Sequence, residues 1–239
     1  MISPLQIKNV SKIFLPEKKV LDNISLSLNA GEIYALVGLN GIGKTTLIKI
    51  ILQLYTQYEG EVRFFGNLAS NPESRKNIAY LPEKFQAPLL LSGLEFLNLA
   101  LSWYDKKLDI KLAKEQAELF GLNPDILNQR IGKYSKGMAQ KLGLLSIFLI
   151  DAPLFILDEP TSGLDVEARL ALKNMLVNFK NKGTSIFFKT HILSDVEEIC
   201  DRMAVIHNAK IVFADKPKNL LSQQNTASLE QAFLKLIYG

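Results

Sequence analysis

At 239 residues, 48% of them apolar, the chain has the length of one large domain or two small ones and enough apolar surface for a substantial core. Its single cysteine, Cys200, excludes an internal disulfide and a cysteine-based metal cluster, and no apolar run reaches the roughly 18 residues of a membrane span. The net charge of +4 arises from scattered lysines and arginines, which argues against nucleic acid as a partner and leaves only a weak attraction to an anionic membrane surface.

The opening MISPLQIKNVSKIF shows no positive region, apolar core and small-residue cleavage site in succession, so a cytosolic location is expected. Strand-like stretches come first, at Leu5 to Val10, Val20 to Leu28 and Ile33 to Val37. A helix from Lys44 to about Leu54 and a strand from Glu61 to Phe65 follow. From about Ser92 the spacing turns helical: Leu94, Leu97 and Leu101 share one face, Ile110, Ala113, Ala117 and Phe120 another, and Leu142 to Ile150 reads as a buried helix. Strands return at Leu154 to Leu157, Ser185 to Phe188 and Met203 to Ile206, alternating with helices. That order predicts an α/β core with a helical insertion, and no repeat or flexible linker divides it.

Between the strand IYALV and the helix that follows lies GLNGIGKT, a full match to G-x-x-x-x-G-K-[ST]. Gly38, Gly41 and Gly43 permit a tight turn, and the backbone amides of Gly38, Leu39, Asn40, Gly41, Ile42 and Gly43 point inward toward phosphates at the helix N-terminus. Lys44 is placed to reach the β- and γ-phosphates and the Thr45 hydroxyl to bind Mg²⁺, with Thr46 beside it. ATP and GTP are both compatible with this loop.

LFILDE reads as a strand buried on both faces that delivers Asp158 and Glu159 at the sheet edge where open α/β folds bind ligands. Asp158 is the candidate Mg²⁺ ligand and Glu159 the candidate base for an attacking water, the strand's alternation giving the neighbours separate roles. FFKTH ends a further strand with His191, which could contact a γ-phosphate and hold that water, whereas His207 falls in a turn and Cys200 reads as a small buried hydrophobe.

These motifs together resemble the nucleotide-binding subunit of ATP-binding-cassette (ABC) transporters, from about Ser3 to Tyr238. In that family's order come the aromatic Phe14, GLNGIGKT, the loop after YLP, the signature YSKGM, LFILDE, the loop SGLD from Ser162 to Asp165, and His191. The resemblance implies an α/β P-loop NTPase (RecA-like) core, residues 1–83 and 152–239, with an inserted α-helical subdomain at about 84–151 and N-terminal antiparallel β elements. It also implies ATP and Mg²⁺ as cofactors, with Phe14 stacking on adenine and Glu83 near the metal. Two copies of the subunit would sandwich two nucleotides, each held by one copy's phosphate loop and by Ser135 and Gly137 of the other, with Ser162 and Asp165 linking the sites.

The signature departs from the usual Leu-Ser-Gly-Gly-Gln at Lys136 and Met138, and Glu83 stands where glutamine is usual. Both departures, and the ending SLEQAFLKL, are similar to the subgroup that serves type-2 (ABC-2-like) membrane permeases in export. A permease partner, a homodimer and a peripheral place on the inner face of the cell membrane follow from that likeness. The rival class is a soluble cassette ATPase acting on nucleic acid or ribosomes, whose usual tandem cassettes, long coiled coils or zinc-binding insertions have no counterpart in the sequence.

Overall fold

In the computed structural model, which describes residues 2–14 and 18–239, Ile33 to Val37 is buried along its whole length and divides its side chains between two cores. Ile33, Ala35 and Val37 face one core and Tyr34 and Leu36 the other. A strand buried on both faces needs no polar alternation, which is why this segment is a continuous apolar run.

The chain runs β1 (Leu5–Phe14), β2 (Lys18–Leu28), β3 (Ile33–Val37), α1 (Lys44–Ile51), β4 (Glu59–Phe64), β5 (Asn67–Leu68), β6 (Ile78–Leu81), α2 (Gly93–Ser102), α3 (Ile110–Leu119), α4 (Lys136–Ile150), β7 (Leu154–Asp158), α5 (Val166–Asn181), β8 (Ser185–Thr190), α6 (Leu193–Ile199), β9 (Arg202–His207), β10 (Lys210–Asp215), α7 (Pro217–Gln224) and α8 (Leu229–Tyr238). The first sheet has the order β2-β1-β4-β5 and is antiparallel; the second has the order β10-β9-β3-β8-β7-β6, parallel except at the β10 edge. Leu47, Ile48, Ile50 and Ile51 of α1 fill the space between the two sheets. The opposite face of the parallel sheet is covered by residues of α2 to α8. No helix among the described residues is long and apolar enough to cross a membrane.

Several element boundaries differ from the sequence expectation for local reasons. β1 continues past Val10 to Phe14, because Asn9 takes a left-handed backbone (φ 51°) at a bulge that resets the register. α1 stops at Ile51 short of Leu54; Gln53 is left-handed (φ 59°), and the amides of Leu54 and Tyr55 both donate to the Lys49 carbonyl. Phe65 is not in β4 but turns with Gly66, both at positive φ, into the hairpin to β5. His207 is the last residue of β9, and the turn belongs to Asn208 and Ala209.

α4 is buried all round from Gln140 to Ile150, which is why Ser146 is the one polar side chain from Leu142 to Ile150, and it ends where Asp151 turns left-handed. Phe148 on this helix meets Phe120, Phe155 and Phe179 with ring centroids 5.6, 6.0 and 5.1 Å away, at the junction of helical segment and parallel sheet. Phe148→Ala is expected to destabilise the protein by about 3–5 kcal/mol in urea unfolding, because the packed rings cannot collapse into the space. The exposed Leu170→Ala should stay within about 0.5 kcal/mol.

Candidate functional site

Adjacent parallel strands β3, β8 and β7 end together, and their C-terminal edges bring the chemical motifs side by side. Val37 lies opposite Thr190, and Asp158 opposite Lys189. The loop after β3 turns at Gly43, the N-cap of α1, where φ is 113° and a Cβ would stand 2.7 Å from the Val20 carbonyl oxygen. At Gly38 a Cβ would likewise meet the Ile206 carbonyl oxygen at 2.7 Å. Lys44 is buried, and its Nζ donates to the loop's own carbonyls, Gly38 at 2.5 Å and Leu39 at 2.8 Å. Burial pulls its pKa down to about 8. Leu39, Asn40 and Gly41 are exposed, Ile42 is half-buried, and a pocket of about 310 Å³ is lined by Asn40, Gly41, Gly43 to Thr46, Glu83 and Lys189.

Asp158 is the buried last residue of β7, whereas Glu159 already lies beyond the strand in a left-handed backbone (φ 51°). The carboxylates are therefore separated by a turn and not by strand alternation, a correction to the sequence expectation. A non-glycine residue in this region costs on the order of 1 kcal/mol or more, and such strain is retained where the surroundings hold it. Here the Glu159 amide donates to the Lys189 carbonyl at 3.0 Å and the Glu159 carbonyl accepts from Ser162 at 3.0 Å. Glu159 Oε2 is 2.9 Å from His191 Nδ1, so this acid and the half-exposed imidazole form one unit.

Lys189 is a site residue that the motifs did not reveal. Its ammonium donates to Thr45 Oγ1 at 3.0 Å and Glu83 Oε2 at 2.9 Å, and stands 2.7 Å from Asp158 Oδ1. The one sequence signal was a charge inside the otherwise uncharged, fully buried strand SIFFKT. Burial lowers the Lys189 pKa most strongly among single influences, but its bonds to Asp158 and Glu83 together outweigh it and raise the pKa. The same lysine holds Glu83 below the usual carboxylate range, while burial pushes Asp158 up.

Thr45, Glu83 and Asp158 present hard oxygen donors, the chemistry Mg²⁺ selects. Asp158 Oδ1 is buried and pairs with the Lys189 ammonium at 2.7 Å, and a carboxylate oxygen with one such contact keeps a further lone pair that a cation could take. Among the described residues no three His, Cys, Asp or Glu side chains are grouped to hold a metal ion by themselves. By their chemistry Thr45, Glu83 and Asp158 fit a magnesium ion, which they would hold by oxygen.

The remaining candidates sit apart from this pocket. Ser135 caps α4 by accepting from the Met138 amide at 3.2 Å, and its side chain is exposed. At Gly137 a Cβ would stand 3.2 Å from the Gly163 carbonyl oxygen, so signature turn and SGLD loop pack together. Asp165 caps α5 through Ala168 and pairs with Lys141 of α4 at 2.8 Å. Phe14 meets Tyr55 edge-on at 5.7 Å and carries Lys12 Nζ over its ring at 4.9 Å. Burial raises the Cys200 thiol well above its ordinary value, which fits an inert role.

A family model described as ABC transporter matches residues 21–162. The chain belongs to that family. An uncharacterized ABC transporter ATP-binding protein of Nostoc sp. (strain PCC 7120) is 35% identical over 209 residues, 86% of this chain and 62% of the relative, so the chain spans less than two thirds of that protein. The SkfA peptide export ATP-binding protein SkfE of Bacillus subtilis is 32% identical, with 87% of each chain covered. A solved ATP binding subunit of an ABC transporter has a TM-score of 0.90 at 32% identity, covering 99% of both chains. The ABC fold accounts for the pairing of an antiparallel sheet with a mainly parallel one around α1.

Proposed function

We propose that this chain is the Mg²⁺-dependent, ATP-hydrolysing subunit of an ABC exporter, working as a homodimer on the cytoplasmic face of the membrane beside a separate ABC-2-like permease. The carrying observation is the meeting of the phosphate loop, Asp158 and the Glu159–His191 pair at one edge of the parallel sheet. Lys44 and the loop amides would hold the phosphates, and Mg²⁺ held by Thr45, Asp158 and Glu83 would supply neutralisation of phosphate charge. Glu159 takes the proton of the attacking water, and His191 orients that carboxylate.

Dimerisation is supported by the position of the signature. Ser135 and Gly137 do not line the pocket of the phosphate loop, yet Ser135 opens the 15-residue α4 and is exposed there, with the positive end of a helix behind it. A second copy's γ-phosphate is the ligand this turn would take, and closure on ATP then supplies the differential affinity that drives a conformational cycle. The helical segment of about residues 84–151 would transmit it. A groove of about 640 Å³ there is lined by Phe85, Phe96 and Trp103, and Leu89, Leu90 and Trp103 are exposed. The named export role of SkfE supports the direction.

Purification in mild detergent tests the reading: a polytopic membrane protein should accompany the wild type, and recovery of ribosomes or DNA in its place would overturn it. Trp103→Ala should weaken permease capture about 30-fold, the effect of losing an aromatic hot spot of about 2 kcal/mol, with ATP binding retained.

A further inference from the structure

The Lys189 ammonium occupies the meeting point of the oxygens to which Mg²⁺ was assigned above. Its three N–H donors face three acceptors: Thr45 Oγ1 at 3.0 Å, Glu83 Oε2 at 2.9 Å and Asp158 Oδ1 at 2.7 Å, and Glu159 Oε1 lies 3.9 Å away. The Lys189 side chain is 6% exposed and that of Asp158 3%, so this pair is weakly screened, whereas Glu83 stands 45% exposed at the rim. Lys44 does not share the task, because its Nζ is committed to the Gly38 and Leu39 carbonyls. Three carboxylates would otherwise face incoming phosphate together, and Glu83, an acid where the family resemblance suggests glutamine, sharpens that repulsion.

An ammonium and a magnesium ion cannot hold Asp158 and Thr45 at once. The metal needs oxygens at about 2.0–2.1 Å, and two cations on the same ligands repel each other. We propose that Lys189 is a resident counter-cation of the nucleotide site: it neutralises Glu83 and Asp158, competes with Mg²⁺ for Asp158 and Thr45, and makes ATP binding only weakly dependent on Mg²⁺. Glu83 and Lys189 are then a matched pair, the added acid answered by an added base. This inference rests on the nucleotide site proposed above.

The test is the dissociation constant of a methylanthraniloyl-ATP analogue, followed by fluorescence on the full chain with excess Mg²⁺ or with EDTA. For Lys189→Met the ratio of the EDTA to the Mg²⁺ value should rise about tenfold above wild type, and the half-saturating Mg²⁺ concentration should fall, because ATP and metal become more strongly coupled. Glu83→Gln should move the ratio the opposite way, and it tests the same idea from an exposed position should the strand substitution fail to fold. The double variant Glu83→Gln/Lys189→Met, which removes one charge of each sign, should return toward wild type. Ratios unchanged within about twofold in Glu83→Gln and in whichever Lys189 variants fold would overturn the inference. Failure of the wild type to bind the analogue even with Mg²⁺ would instead overturn the nucleotide-site reading, and the inference with it.

Discussion

Glu159→Gln is expected to lower ATP turnover by about 10²- to 10⁴-fold, the contribution of a positioned general base, while nucleotide binding persists. The amide has the shape of the carboxylate it replaces, so the contact to His191 Nδ1, 2.9 Å in the wild type, can survive with the imidazole as donor. What is lost is the capacity to accept a proton from water. Removing a buried negative charge near the phosphates does not oppose ATP, and in the proposed homodimer an unhydrolysed nucleotide would keep the two copies closed. Phosphate release gives the first quantity, and size-exclusion chromatography with ATP gives the second. Near-normal turnover would remove Glu159 from the role of base, and the left-handed backbone at this residue would then need another explanation.

Lys44→Ala should act one step earlier, on binding itself. Its ammonium donates to two loop carbonyls, and in the proposed complex it turns those donors to phosphate oxygens. A charge-assisted hydrogen bond contributes about 1.5–3 kcal/mol, so ATP affinity should fall by roughly 10- to 100-fold in titration calorimetry. Stability should change little, because the deleted group is a buried cation whose pKa burial has already pulled down to about 8. Thermal melting without nucleotide checks that half of the expectation. ATPase activity that survives Lys44→Ala undiminished would belong to a contaminant or to a different site.

The two variants separate binding from chemistry, and Lys189 adds a third axis. Glu159 reads the proton, Lys44 reads the phosphates, and the pair Glu83 and Lys189 reads the competition for the metal's oxygens. Because Asp158 is touched by Lys189 and lies next to Glu159, effects at these positions will not add, and double variants are needed to apportion them.

Much of the architecture was legible from local pattern. Strands such as β3 and β7 up to Leu157 are apolar runs because both faces are buried, and the phosphate loop declares itself because its glycines answer a steric demand that few sequences meet. Helix α4 was half legible. Its apolar part from Leu142 was clear, but the polar first turn from Lys136 needed the Ser135 cap to be seen as helix. Bulges and left-handed turns at Asn9, Gln53 and Phe65 were not legible, since these residue types occur in many conformations and tertiary contacts choose among them.

The motif at Tyr134 to Met138, the phosphate loop and the carboxylates of β7 belong to short continuous stretches, and short-range chemistry sufficed to name the family. The cation among those carboxylates does not. Lys189 meets Glu83 and Thr45 from 106 and 144 residues away in the chain, and it reaches Asp158 because β7 and β8 are laid side by side in one register. Register between strands distant in sequence is a product of packing the two cores on both faces of the sheet. Only the folded chain could show that a lysine in an apolar strand is satisfied by the oxygens of the nucleotide site.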